Sequence, residues 1–377
     1  MQRLSSSVLI ALVLAACGDN GAMPDAGPTA DAPPVDAHVL APRALAVAGD
    51  FGSPGVGTVA KLEVTNLEMS LNVSAGAALG DPVIRYIDGK VYIINRFGSN
   101  NITILDGKTL ALEDQLSTGT GSNPQDVAVV GDKLYVPTLG TAGVVVLTRG
   151  SATTKTINLA TPLGDPDGIP DCPSIYRVGT KLYVACQLKE NFNDVRDAKL
   201  AVIDTATDAV VAQVTLPHRN PINFLVQSPA SSVYGGDLLI ASTNFGDLMD
   251  GCIIRISTAD QPVASCALTN QQIGGSVNKL EVSPDGSTLY LAVAPSYTEG
   301  FLRGVDLASG MVWNGNVSAA GQLIVDVAAC PGGQVIASDN TLNASGLRVW
   351  KDLQERTTSA KPIGISPAYN GLICYDP

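Results

Sequence analysis

Histidine is almost missing from this chain: there are two among 377 residues, and only His218 lies beyond position 42. A Ser-His-Asp triad would have to use it, yet "TLPHRNP" holds no nucleophile motif and reads as a turn. No Cys-x-x-Cys pair occurs, which removes c-type haem attachment and the common zinc spacings, and no glycine-rich phosphate loop is found. Basic clusters are absent as well. The net charge of −12 argues against nucleic acid and against headgroup binding by the folded part. Apolar spacing at i, i+3, i+4 and i+7 is nowhere sustained for three turns after the N-terminal residues. No later run reaches the roughly 18 apolar residues of a spanning helix. Carboxylate chemistry stays open, because an acidic chain always has pairs that could meet.

What is present begins with an address. Arg3 precedes an apolar run from Val8 to Ala16, which ends in the small residues Ala15 and Ala16 before Cys17. A basic start, a short apolar core and small residues read as a secretory signal over residues 1–16. The cysteine that follows makes the stretch resemble the lipobox of bacterial lipoproteins. The resemblance implies that Cys17 is lipidated and anchors the chain in the bacterial cell envelope, at the outer membrane, facing either the periplasm or the surface. An ordinary secreted chain with a coincidental cysteine is the alternative. Residues 18–42 carry four aspartates, no lysine or arginine and no aromatic residue. Such a stretch cannot bury enough apolar surface to offset ordering, so residues 17–42 are expected to form a disordered tether. Its prolines favour extended segments of about 3.1 Å per residue.

Residues 43–377 read as strands. Runs of Val, Ile, Leu and Tyr alternate with Gly, Asn, Asp and Pro. One run recurs as "ALAVA", "KVYII", "KLYVP", "KLYVA", "DLLIA", "TLYLA" and "QVIAS", which aligns Ala46, Tyr92, Tyr135, Tyr183, Leu239, Tyr290 and Val335. The separations are 46, 43, 48, 56, 51 and 45 residues, the signature of a propeller or an array of seven units. Within a unit, a strand such as "DVAVV" turns into "KLYV", and a loop leads to "LAVID" and a weaker fourth strand.

"VYIINRFGSNNITILDGKTL", "NPQDVAVVGDKLYV" and "LEVSPDGSTLYLAV" resemble the YVTN-type β-propeller repeat of bacterial envelope proteins. The resemblance implies an all-β, seven-bladed propeller of four-stranded blades over residues 43–377. Such folds serve binding proteins, lyases, lactonases and redox enzymes alike. Two tryptophans, Trp313 and Trp350, are too few for the repeated tryptophan motifs of quinoprotein propellers. The first unit lacks an inner strand, and "NGLICYD" at residues 370–376 is a spare one, so the C-terminal strand is expected to join the first blade. Eight blades with a degenerate last one is the alternative.

Six cysteines remain beyond Cys17, and they allow fifteen pairings. In the repeat frame, Cys172 and Cys186 flank the Gly179 turn and Cys252 and Cys266 flank a turn near Ala259. That leaves Cys330, at the end of the seventh inner strand, for Cys374 in the closing strand. Secretion makes disulfides reasonable.

Two constellations are candidate sites. "GDPDGIPDCP" places Asp165, Asp167 and Asp171 around Gly168 and resembles the core of thrombospondin type-3-like calcium loops, without that family's full aspartate ladder. Ca2+ is the candidate cation, and a plain Pro-Gly turn the alternative. The second is aromatic. Phe51, Phe97, Phe192, Phe245 and Phe301, five of six phenylalanines, are assigned to loops between the second and third strands. Inner strands begin on that face beside Asp81, Asn123, Asp126, Asn220, Asn223, Asn278 and Asp326. These residues form either inter-blade plugs and shaped turns or an aromatic, acidic rim that grips a protein or glycan partner. The expectation is a monomeric binding or scaffolding module with no catalytic residues assigned. The other class is a channel-centred hydrolase or lyase, lactonase-like, using carboxylates or a divalent cation.

Overall fold

The computed structural model describes residues 41–52 and 55–377; the expected signal, Cys17 and the tether up to residue 40 lie outside the described residues. Seven antiparallel sheets succeed one another along the chain as seven blades. The second blade shows how the sequence makes them. Pro82–Ile87 turns through Asp88 and Gly89, both with positive φ (49° and 78°), into Lys90–Asn95. Two left-handed residues give the tight turn whose twist matches the strands it joins. Asn101–Asp106 and Leu112–Ser117 complete the blade outward, and burial falls from the inner strands to the outer one.

Ring closure follows the expected route. The closing strand Leu372–Tyr375 pairs antiparallel with Arg43–Gly49, Ala46 opposite Leu372 and Arg43 opposite Tyr375. There is no eighth sheet among the described residues. The disulfides join Cys172 to Cys186, Cys252 to Cys266 and Cys330 to Cys374, the last tying the seventh blade to the closing strand. Blade six departs from the four-stranded pattern. It contains only Ser276–Val282, Thr288–Ser296 and Glu299–Asp306 as strands. An irregular segment covers the open edge instead, with Trp313 N–H donating to Gly304 O (2.9 Å) and Val317 N–H to Leu302 O (2.7 Å). Glycine is required at 304, because a Cβ there would stand 2.5 Å from the Trp313 ring.

The apolar core is cyclic rather than central. Seven clusters of buried side chains each lie mainly between two neighbouring blades, including one between the seventh blade and the first. The recurring tyrosine of the second strand adds a polar tie. Tyr135 OH donates to Asp208 in the next blade (2.6 Å), and Tyr183 OH donates to Thr258 O in the next (3.1 Å). A buried tyrosine needs such a partner for its hydroxyl. At Tyr135 and Tyr183 the repeat position therefore serves a contact between blades as well as strand propensity.

Candidate ligand-binding mouth

The polar residues at the inner-strand entrances have a local cause. Asp81, Asn123 and Asn220 each precede a proline and have φ of 47°, 49° and 51°. Asn and Asp tolerate this left-handed conformation better than other non-glycine residues. Their shared position thus reflects how the chain enters a blade. Asp81 also takes the Arg96 Nη2 at 2.6 Å, and Arg96 Nε reaches the Asp81 carbonyl at 3.1 Å.

Asp126 and Asp326 were expected on the rim; both are instead fully buried at the axis. Each begins an Asp-Val-Ala inner-strand sequence and caps the next N–H, Val127 or Val327, at 2.8 Å. Asp126 also accepts from Arg85 Nε (2.8 Å) and Nη2 (2.7 Å), Ser174 Oγ (3.1 Å) and Ile175 N–H (3.1 Å). Ser174 Oγ in turn accepts from Leu225 N–H at 2.7 Å. The sixth phenylalanine, Phe224, lies buried among these groups, with the Arg85 guanidinium 3.6 Å and the Lys279 ammonium 5.1 Å from its ring centre. Lys279 stands 3.7 Å from Asp326, which accepts from Leu372 N–H of the closing strand at 3.0 Å. The chain of contacts runs through inner strands of all seven blades. These aspartates are struts, because a buried carboxylate is held by the donors around it.

The axial charges predict a pH response. Burial pushes Asp326 up to about 6 against the pull of Lys279 and the neighbouring N–H groups. Burial also pushes Glu281 up to about 7, with Lys279 opposing and Asp326 adding. Arg85 opposes the rise of Glu281 as well. Both values exceed the ordinary 3.8 and 4.5, so the native state holds protons that the unfolded chain has released. Stability therefore falls as pH rises from about 4 through about 7 and levels off above. Urea midpoints should be lower at pH 8 than at pH 5, and Glu281→Gln should narrow that gap. A midpoint that climbs across this window would overturn the assignment.

Above the struts, two hollows open on the face that carries the second-to-third-strand loops, with volumes of about 330 and 490 Å³. They share Arg96 and Tyr369 and form one mouth. Phe51 and Phe97 line the larger hollow, and Phe245 and Tyr297 the smaller. Phe97 and Phe245 are 53% and 52% exposed, too open to be plugs between blades. Phe192 belongs to the same loop class but stands free of both hollows. Phe301 does not lie in a loop. It is half-buried in the strand Glu299–Asp306, its ring centre 4.7 Å from the Arg303 guanidinium. The equivalent loop tip is Tyr297, whose hydroxyl donates to the Phe245 carbonyl. Phe301, expected at that tip, lies instead in the strand because the strands flanking "SYTEGF" extend further than in other blades.

Amides supply the polar lining. Asn223 accepts from Asn370 Nδ2 at 2.7 Å and donates to Val277 O at 3.4 Å, while the Asn278 side chain forms no hydrogen bond with the described residues. The charged pair in the mouth, Asp81 and Arg96, neutralises itself. Among the described residues, no three His, Cys, Asp or Glu side chains stand together as a metal-binding group.

No family model and no curated sequence matches this chain. Its fold is shared with solved structures. A Bacteroides uniformis protein assigned as a 6-phosphogluconolactonase aligns at a TM-score of 0.60 with 14% identity, over 89% of this chain and 99% of that one. A Bacteroides fragilis protein of the same assignment gives 0.60 and 13%, over 89% and 97%. Apo AztD from Citrobacter koseri gives 0.53 and 11%, over 89% and 98%. At such identities the likeness is one of fold.

The remaining sequence candidates lie apart from the mouth. His218 contacts Asp250 through Nε2 (3.1 Å) and the Arg219 carbonyl through Nδ1 (2.9 Å), so both ring nitrogens are engaged without a nucleophile. In the acidic loop, Asp165 and Asp167 meet, whereas Asp171 turns to accept from Lys189 N–H at 3.1 Å.

Proposed function

We propose that this protein is a lipid-anchored envelope binding module whose propeller captures a neutral glycan at the aromatic mouth. The carrying observation is the combination of exposed rings with one unspent neutral amide, that of Asn278. Phe97, Phe245, Tyr297 and Tyr369 offer flat faces to the apolar side of a sugar, and Asn278 offers an amide to its hydroxyls. The resemblance to YVTN-type repeats and to a lipobox ending at Cys17 supports an envelope address. A lactonase reading suggested by the Bacteroides proteins would call for a phosphate-binding cation, and Arg96 is already committed to Asp81.

One reagent tests both halves. The full chain carrying Cys17→Ser should leave the membrane fraction, and should retain binding to envelope oligosaccharides on an array. Adding Phe97→Ala and Tyr369→Ala should weaken binding at least about tenfold while changing stability by no more than about 0.5 kcal/mol per site, as surface substitutions do. A Cys17→Ser chain that still partitions with detergent removes the anchor. Unchanged glycan affinity, or no glycan bound by the parent, removes the mouth as the site.

A further inference from the structure

Between blades three and four, the short helix Ala160–Leu163 runs into the loop 164–173, which bends at Gly164 and Gly168 (φ 72° and 85°). Asp165 is only 8% exposed there, and neither of its carboxylate oxygens has a hydrogen-bond partner. Its carboxylate meets that of Asp167, which lies exposed in the same loop. The charges that act on Asp165 come from Asp167 and Asp171, and both are negative. Nearby ammonium groups are committed elsewhere: Lys199 to the Leu163 carbonyl at 2.7 Å, and Lys189 to Asp194 at 3.5 Å. The Ile169 N–H, which donates to Asp167 at 2.9 Å, is the one donor the loop turns toward the pair. A buried carboxylate pressed against a second one with so little compensation is costly unless a proton or a cation sits between them.

We propose that a Ca2+ ion binds between Asp165 and Asp167, with loop carbonyls and water completing its coordination. The donors are all oxygen, which suits a hard cation, and Ca2+ accepts six to eight oxygens in flexible geometry with water among them. No three acidic groups converge into a ready-made cage, and Asp171 contributes charge rather than a ligand. The exposed side of Asp167 leaves the ion a route in. The consequence reaches a neighbouring loop. Pro170 and Asp171 accept from Leu188 N–H (3.1 Å) and Gln187 N–H (2.9 Å), where the chain enters the loop that displays Phe192. Cation binding stiffens both loops together.

The test is calorimetric titration of the full chain with CaCl2 after chelator treatment, alongside melting curves and hydrogen exchange. The parent should bind one Ca2+, melt at a higher temperature with it, and exchange more slowly across residues 164–173 and 187–198. Asp165→Asn and Asp167→Asn should each weaken binding at least about tenfold and lose the melting shift. Asp260→Asn, at an exposed acid in blade five, should change neither. Asp167→Asn keeps the test valid if the buried Asp165→Asn fails to fold. No calcium binding by the parent would overturn the proposal in favour of a shared proton. Binding that survives both loop substitutions would overturn it in favour of another site.

Discussion

Replacing Asp126 by Ala is expected to lower the unfolding free energy by about 3–5 kcal/mol, the usual cost of removing one partner from a buried ion pair. The carboxylate is fully buried and accepts from both Arg85 donors, from Ser174 Oγ and from the Val127 and Ile175 N–H groups. Without it, the Arg85 guanidinium stays stacked on Phe224 with no counter-charge, and the Ile175 N–H loses its acceptor. The cost should fall when Arg85→Met is added, because the stranded charge is then gone. Urea denaturation of the two single variants and the double variant gives the coupling directly. A loss below about 1 kcal/mol for Asp126→Ala would mean that the axis is held by something other than these struts.

Converting Cys330 and Cys374 together to Ser should cost about 4 kcal/mol by the loop-entropy estimate for their 44-residue separation. Either hairpin pair, with a separation of 14 residues, should cost about 3 kcal/mol on the same basis. The seam has a second reason to be sensitive. Leu372–Tyr375 is only four residues long, yet it supplies the inner strand of the first blade and the Leu372 N–H that Asp326 accepts from. Freeing it exposes the edge of Arg43–Gly49 and the core shared by blades one and seven. Melting temperatures of the three double-serine variants rank the bonds. If the seam variant melts no lower than the hairpin variants, closure does not depend on the bond.

Periodic features were legible because they arise from strand pairing and contacts that several blades share. Tyr135 and Tyr183 recur since each hydroxyl must find an acceptor in the next blade. The Asp-Pro and Asn-Pro entrances at Asp81, Asn123 and Asn220 share a left-handed turn of the chain before those three inner strands. The repeat frame brought each hairpin's two cysteines close enough to name the pairs, although in the fifth blade Cys252 stands opposite Thr269 and Cys266 opposite Ile254, so that bond runs diagonally across the hairpin. The phenylalanine loops were legible as a class, and Phe51, Phe97, Phe192 and Phe245 do occupy exposed tips. Blade six broke the frame because its strands run long and its outer strand is replaced by the segment around Trp313.

Nothing periodic announces the axis. Arg85, Asp126, Phe224, Lys279 and Asp326 come from five blades; the sequence marks Asp126 and Asp326 only as rim candidates, and Arg85, Phe224 and Lys279 not at all. They meet only because the ring closes. The same holds for Tyr369 beside Phe97 and for the orphaned carboxylate of Asp165, whose burial depends on how its loop packs against the neighbouring blade. By itself the sequence determined the blade, its count and its seam, since local pairing and periodic burial are written into each unit. Which side chains face one another across the ring was decided by tertiary structure alone, because that depends on distances between blades that no single repeat encodes.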